Sequence, residues 1–355
     1  MLRHDGAETR RADGALVPVA ELEPLLPGPV PAGDHGIDWT RFGAGPCAPE
    51  LARREPAAVR AMLMRLGDAR LAAKSARLEA RLTLEPPGEV LYQELWDGLG
   101  YSANREPMRE LARALPLAAV EDALATVPAE ERIGLSRGFL FGVAGFLPLS
   151  PGDAAMARLD VAGVALTEAR WGSHGGAWHG EALTPTRWTR ARVRPANHQV
   201  ARLAAGAALL AGAPGGLIGA LLGAVRAGTD VVRLLRELSG TAGAPAIGAD
   251  RAAGMVANSV LPFALTLAEQ TGDAMLSEAA ASAWERFPAA EGNATARRAL
   301  LQVAGGARLP GLGARGQQGL LQLDATLCAP RRCFECPIAA AVVADEKDAA
   351  VRHPN

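Results

Sequence analysis

Lysine is nearly missing from these 355 residues: only Lys74 and Lys347 occur, and arginine supplies the other 35 positive charges. Arginine is therefore the default cation of the chain, and a single arginine says less than it would in a lysine-rich protein. Aromatic residues make up only 4%, with two tyrosines, and there are four cysteines. The net charge of -1 excludes a global field that would draw the whole molecule to nucleic acid or to an anionic membrane. No Gly-rich phosphate loop, G-x-S-x-G elbow or H-E-x-x-H helix is present, so those phosphate-binding, hydrolase and zinc-protease signatures are missing. The stretch "MLRHDGAETRRADG" is polar and lacks the apolar segment of a signal peptide, and the few, clustered cysteines are unlike a secreted disulfide framework. Both point to a reducing cytoplasm.

What is abundant is Ala, Gly, Leu and Pro, arranged as helices. From about residue 50 the apolar positions recur every three or four residues, as in Leu51, Val59, Met62, Leu66, Leu71, Leu78 and Leu82. Similar segments are expected at 87–99, 105–114, 117–126, 128–146, 152–170, 196–212, 215–238, 249–271, 273–286, 293–304 and 315–327. This predicts a mainly α, multi-helix globular domain over 50–340, followed by a polar tail at 341–355. Ahead of it, Asp13-Gly14 between alternating segments predicts a small N-terminal β-hairpin within 1–26, and the prolines of 27–49 predict an irregular linker. No fixed-period repeat argues for a solenoid. Leu203 to Val225 is uncharged and long enough to span a bilayer, but Pro214-Gly215-Gly216 at its centre favours two short buried helices joined by a turn.

Three of the four cysteines fall in "CAPRRCFECP": Cys328, Cys333 and Cys336, spaced C-x4-C-x2-C. The C-x2-C turn brings two thiolates to one side, and the upstream thiolate closes another face, which suits zinc or an iron-sulfur cluster. Either wants a fourth ligand, for which Cys47, His198 and His353 are the candidates. Two other readings stand beside this one: a Cys333/Cys336 redox dithiol, and thiols that pack as inert small hydrophobes.

A second constellation is "TRWTRARVRPANHQVAR", with Arg187, Trp188, Arg190, Arg192 and Arg194 and no acid between Glu181 and Asp230. Extended, it would align Arg190, Arg192 and Arg194 on one face for phosphates, with Trp188 as a stacking surface for a base. Asn197 is the expected cap of the next helix, with His198 in its first turn. A solvated arginine-rich edge and a structural histidine are the plainer alternatives. A third, "LYQELWDGLGYSANREPMRELARALPL", reads as two helices joined at Gly100 and Asn104, the latter an expected N-cap, with carboxylates, arginines and both tyrosines around the joint.

Those motifs, with "RPANHQVARLAA", "NSVLPFAL" and "QQGLLQLDATLCAPRRCFECPI", are similar to an uncharacterised bacterial family, domain of unknown function 2851, over residues 10 to 340. The resemblance implies that the C-x4-C-x2-C ending is a family feature, which strengthens the metal reading. It also implies a longer N-terminal β-rich segment with a nuclease-like Glu-x-His pattern, of which "LRHDGAETRRADGALVPVAELEP" looks like the tail, as in a shortened member or a truncated gene. The family lends no activity. The expectation is a helical protein with a three-cysteine metal site and nucleic-acid association; the alternatives are a non-enzymatic scaffold or protein-interaction module, and a dithiol redox protein.

Overall fold

The computed structural model describes residues 10–11, 13–16, 47, 56–191, 193–213, 215–290, 293–305 and 309–340. Most of the expected linker, the expected polar tail, Arg192 and His353 lie outside these residues. Among the described residues there are fifteen α-helices and no strand. The expected hairpin is thereby corrected: what is described of it is one antiparallel bridge, Arg10 to Leu16, closed by the Arg11 N–H donating to Ala15 O at 2.8 Å. Gly14 takes φ +81° in this turn, a conformation that glycine adopts without a Cβ penalty.

The helices begin with α1 (Pro56–Leu82), α2 (Pro87–Leu99), α3 (Arg105–Ala114), α4 (Leu117–Ala125) and α5 (Ala129–Val143). They continue as α6 (Pro151–Ala157), α7 (Val161–His174), α8 (Gln199–Ala211), α9 (Leu217–Arg226) and α10 (Val231–Ser239). The last five are α11 (Ala249–Met255), α12 (Leu261–Thr271), α13 (Ala274–Arg286), α14 (Ala294–Ala304) and α15 (Gly313–Leu323). The segment expected at 152–170 is two helices, because Arg158 turns left-handed at φ 57° and Asp160 caps α7 by accepting from the Gly163 N–H at 2.8 Å. The segment expected at 215–238 divides likewise at Gly228, with Asp230 capping α10 through the Arg233 N–H at 3.0 Å. The uncharged run at 203–225 forms the inner part of α8 and α9. By length and composition, one helical run among the described residues, Ala249–Thr271, is apolar enough to cross a membrane, and 67% of its apolar window is buried within the protein.

The core has two parts. The larger centres on α2, α5, α8 and α12. Leu91, Leu95, Trp96, Phe139, Leu203, Leu209 and Phe263 are all essentially without solvent contact there. Each such side chain stabilises the fold by roughly 1.5–3 kcal/mol before conformational entropy is counted. The smaller part joins the start of α1 (Val59, Met62, Leu63) to α14, α15 and the chain after α15, ending on Cys336 and Ile338. Helix α1 therefore serves both, with Leu78 in the larger part. It lies along α15 at a very close crossing. A Cβ at Gly67 would come 2.0 Å from the Arg315 carbonyl oxygen, and one at Gly319 would come 1.9 Å from that of Leu63. The Arg315 guanidinium on Asp68 clamps the crossing, and Trp284 Nε1 donates to the same carboxylate at 3.2 Å.

Two π turns interrupt the helical register. One, Val256–Val260, joins α11 to α12, and the other, Asp324–Cys328, extends α15. Each adds a residue to the turn, so the side chains that follow rotate away from the face an uninterrupted helix would give them.

Candidate functional site

Three of the four cysteines, Cys47, Cys328 and Cys336, lie in or against the smaller core. Cys328 ends the π turn that follows α15, Cys333 opens a short 3-10 turn (Cys333–Glu335), and Cys336 follows it. The segment is held by backbone bonds from Ala329 N–H to Asp324 O at 2.9 Å and from Arg332 N–H to Leu327 O at 2.8 Å. Asp324 is buried and receives both arms of Arg298 from α14, at 2.9 and 2.6 Å. Cys336 is buried in the apolar cluster, Cys47 and Cys328 pack against it half-buried, and Cys333 is exposed. All four thiols are free.

Among the described residues, no three His, Cys, Asp or Glu side chains close on a common point as metal ligands. The expected three-cysteine centre is thus not assembled. The four thiols nonetheless share one neighbourhood. Burial pushes Cys47 up to about 11, and the charges of Cys336 and Cys333 push it the same way. Burial likewise pushes Cys328 up to about 12, reinforced by Cys336, Cys47, Asp324 and Cys333. Of the two described candidates for a fourth ligand, Cys47 is the one found beside the others. His198 is elsewhere: it stands at the N-cap of α8 without a side-chain cap bond, its buried Nδ1 has no hydrogen-bond partner among the described residues, and burial lowers its pKa, opposed by Asp153 and reinforced by Arg190. The expected cap Asn197 instead ends a short 3-10 turn and accepts from Arg202 Nη2 at 2.9 Å.

Among the described residues, two of the arginines of the stretch are answered by acids rather than left open for phosphates. Arg187 pairs with Glu110 and Arg190 with Asp153, acids brought from α3 and α6. Arg190 also lies over the Phe146 ring, 5.7 Å from its centroid. Trp188, expected as a stacking surface, is only 4% exposed, and its Nε1 donates to Ala144 O at 2.9 Å, so no face is left for a base. Arg194 is exposed. The helix joint at Gly100–Asn104 anchors this stretch: Asn104 donates to Thr189 O at 3.0 Å and accepts from the Thr189 N–H at 2.8 Å. Its side chain therefore serves a distant segment rather than capping α3.

The charged residues of the third constellation, among them Glu94, Asp97 and Arg105, line a cavity of about 770 Å³ between α1, α2 and α3, touched by Gln322 of α15, whose α1 wall the sequence reading did not single out. Seven cationic side chains line it against three carboxylates. Arg77 binds Glu94 through two bonds of 2.7 Å, Arg81 adds a third to Glu94 at 3.0 Å, and Arg105 and Arg109 share Asp97. Deeper in, the partners are neutral. Lys74 Nζ donates to Asn258 Oδ1 at 2.6 Å and to Gln318 Oε1 at 3.3 Å, and Arg70 Nε donates to Gln318 Oε1 at 2.9 Å. Burial, with Arg70 and Arg77 nearby, brings Lys74 down from 10.5 to about 7. The signal available in the sequence was that one of only two lysines sits in a helix otherwise supplied with arginine.

A family model described as "Protein of unknown function (DUF2851)" matches residues 2–222, more than half of the chain. The match takes in Cys47, the lysine and arginines of the cavity, and the arginine stretch. It stops short of the three clustered cysteines and of the expected extent to residue 340. No curated protein and no solved structure matches the chain.

Proposed function

The chain belongs to the family of unknown function DUF2851, and from that premise we propose that it is a thiolate-metal protein whose Cys47, Cys328, Cys333 and Cys336 together hold zinc or an iron-sulfur cluster. The observation that carries this reading is that Cys47, far from the others in the sequence, packs with Cys328 and Cys336 in the smaller core, while the exposed Cys333 is near enough for its charge to act on Cys47 and Cys328. Four clustered thiols without a cation repel one another once ionised, whereas a bound metal reverses that sign and deprotonates them. Four sulfurs also fit the coordination number of both structural zinc and a [4Fe-4S] cluster. Binding would tie the chain around Cys47 to the segment after α15, and so close the smaller core.

Nucleic-acid association through Arg187 to Arg194 has weaker support, because acids neutralise Arg187 and Arg190 and Trp188 is enclosed. The dithiol alternative needs only Cys333 and Cys336.

Elemental analysis and an ultraviolet-visible spectrum of protein purified without oxygen test the metal reading. One zinc per chain, or iron with acid-labile sulfide, is expected, and Cys47→Ser should lower the content as strongly as Cys336→Ser. Metal-free wild-type protein sinks the proposal. Metal content that ignores Cys47 sinks the four-ligand form of it, and disulfide exchange dependent on Cys333 and Cys336 alone favours the dithiol.

A further inference from the structure

We propose that the cavity between α1, α2 and α3 binds an organic phosphate, with Lys74 and Arg70 as its floor and Arg77, Arg105 and Arg113 as its rim. The inference is independent of the cysteines.

Charge is the first argument. The seven cations exceed the three carboxylates by four, and the excess is not spread over an open face but turned into a concavity. Among the described residues, neither Arg70 nor Lys74 forms an ion pair with a carboxylate; their oxygen partners are the side-chain amides of Gln318, Gln322 and Asn258. A half-buried cation answered only by neutral dipoles is destabilising unless an anion completes it.

Geometry is the second. The amides behind the floor are themselves oriented. Asn258 donates from Nδ2 to Gly254 O at 2.7 Å, which directs its oxygen at Lys74, and the π turn at Val256–Val260 places it there. Gln318 is buried, and its single oxygen accepts from both Arg70 and Lys74. At the rim, Glu94 and Asp97 each bridge two arginines and hold the guanidinium planes in place, while the Arg77 and Arg105 side chains stay 53% and 55% exposed. This arrangement combines fixed planar forks, which match phosphate oxygens, with one point charge at the base.

Size is the third. About 770 Å³ lies in the range of small-molecule sites and admits a nucleotide, whereas a nucleic-acid duplex is too wide to enter it. The ligand chemistry is therefore a phosphate ester on a small body, supplied either by a free nucleotide or by the terminal phosphate of a single strand.

Isothermal titration of the full chain with ATP, adenosine, and a hexathymidylate with and without a 5′-phosphate tests this. Saturable binding of a phosphorylated probe is expected, weakened at least tenfold in Lys74→Gln and Arg70→Gln with helicity unchanged. Arg233→Gln, on the exposed face of α10 where Arg233 pairs with Glu237 outside the cavity, should leave binding intact. The exposed rim variant Arg113→Gln should weaken binding severalfold and serves if a floor variant fails to fold. ATP binding alone assigns a free nucleotide, and binding of the 5′-phosphorylated strand in competition with ATP assigns a strand terminus. No binding of any phosphorylated probe overturns the proposal, as does adenosine binding as tightly as ATP, or Arg233→Gln weakening binding as much as Arg113→Gln.

Discussion

Lys74 shows how much depends on a single side chain's surroundings. Its ammonium faces Arg70, Arg77 and Arg105, the carboxylate of Glu94, and the amides of Asn258 and Gln318. The folded protein holds this proton less tightly than the unfolded chain, so the sign is clear. The contribution of the neutral amine to stability is complete above pH 10.5, and it is lost as pH falls toward about 7, the value in the folded state. With allowance for solvent in the cavity, the penalty below that point is roughly 2–4 kcal/mol. Lys74→Met should therefore be more stable than wild type in urea at pH 6, and the difference should close by pH 10; a gap that grows with pH would mean the ammonium is stabilised where it stands. Residue identity alone marked Lys74 as unusual but gave no cavity. In the same way "TRWTRARV" showed its arginines but not Glu110 and Asp153, which reach them from elements 77 and 37 residues away in the chain.

At the scale of elements, periodicity and end signals were largely readable. Helices α2 and α3 begin and end where the apolar spacing and the Gly100–Asn104 joint place them. The misreadings have local causes: Asp160 and Asp230 count as ordinary polar positions in a helical pattern until they are seen accepting backbone N–H groups. The π turns left no trace in the pattern, although they direct Asn258 and Cys328. Glycine is ambiguous in the same way, since the letter does not say whether another helix lies against it. Gly319→Ala drives a Cβ into the Leu63 carbonyl and should cost about 1–3 kcal/mol or more, while Gly172→Ala in α7, with nothing within 4 Å, should stabilise by up to about 1 kcal/mol. Urea midpoints of the two variants moving in opposite directions would establish the crossing, and equal small shifts would refute it.

For the whole molecule, the division of the core into two parts makes the cysteine proposal mechanically specific. A centre that includes Cys47 and Cys336 braces the smaller part, where α1 begins and α14 and α15 pack, and leaves the core around α2, α5 and α8 untouched. Native-state hydrogen exchange before and after metal removal should accelerate in α14, α15 and residues 333–340, with little change in α2 and α8; uniform acceleration would argue against a local brace. The helical class, most helix positions and the clustering of three thiols follow from the order of residues, because apolar period, caps and short spacings are local properties of the chain. The nearness of Cys47 to that cluster, the enclosure of Trp188 and the cationic cavity at Lys74 do not. Each depends on segments far apart in sequence meeting at a distance set by packing, above all the close passage of α1 along α15 at Gly67 and Gly319, and no local pattern encodes that meeting.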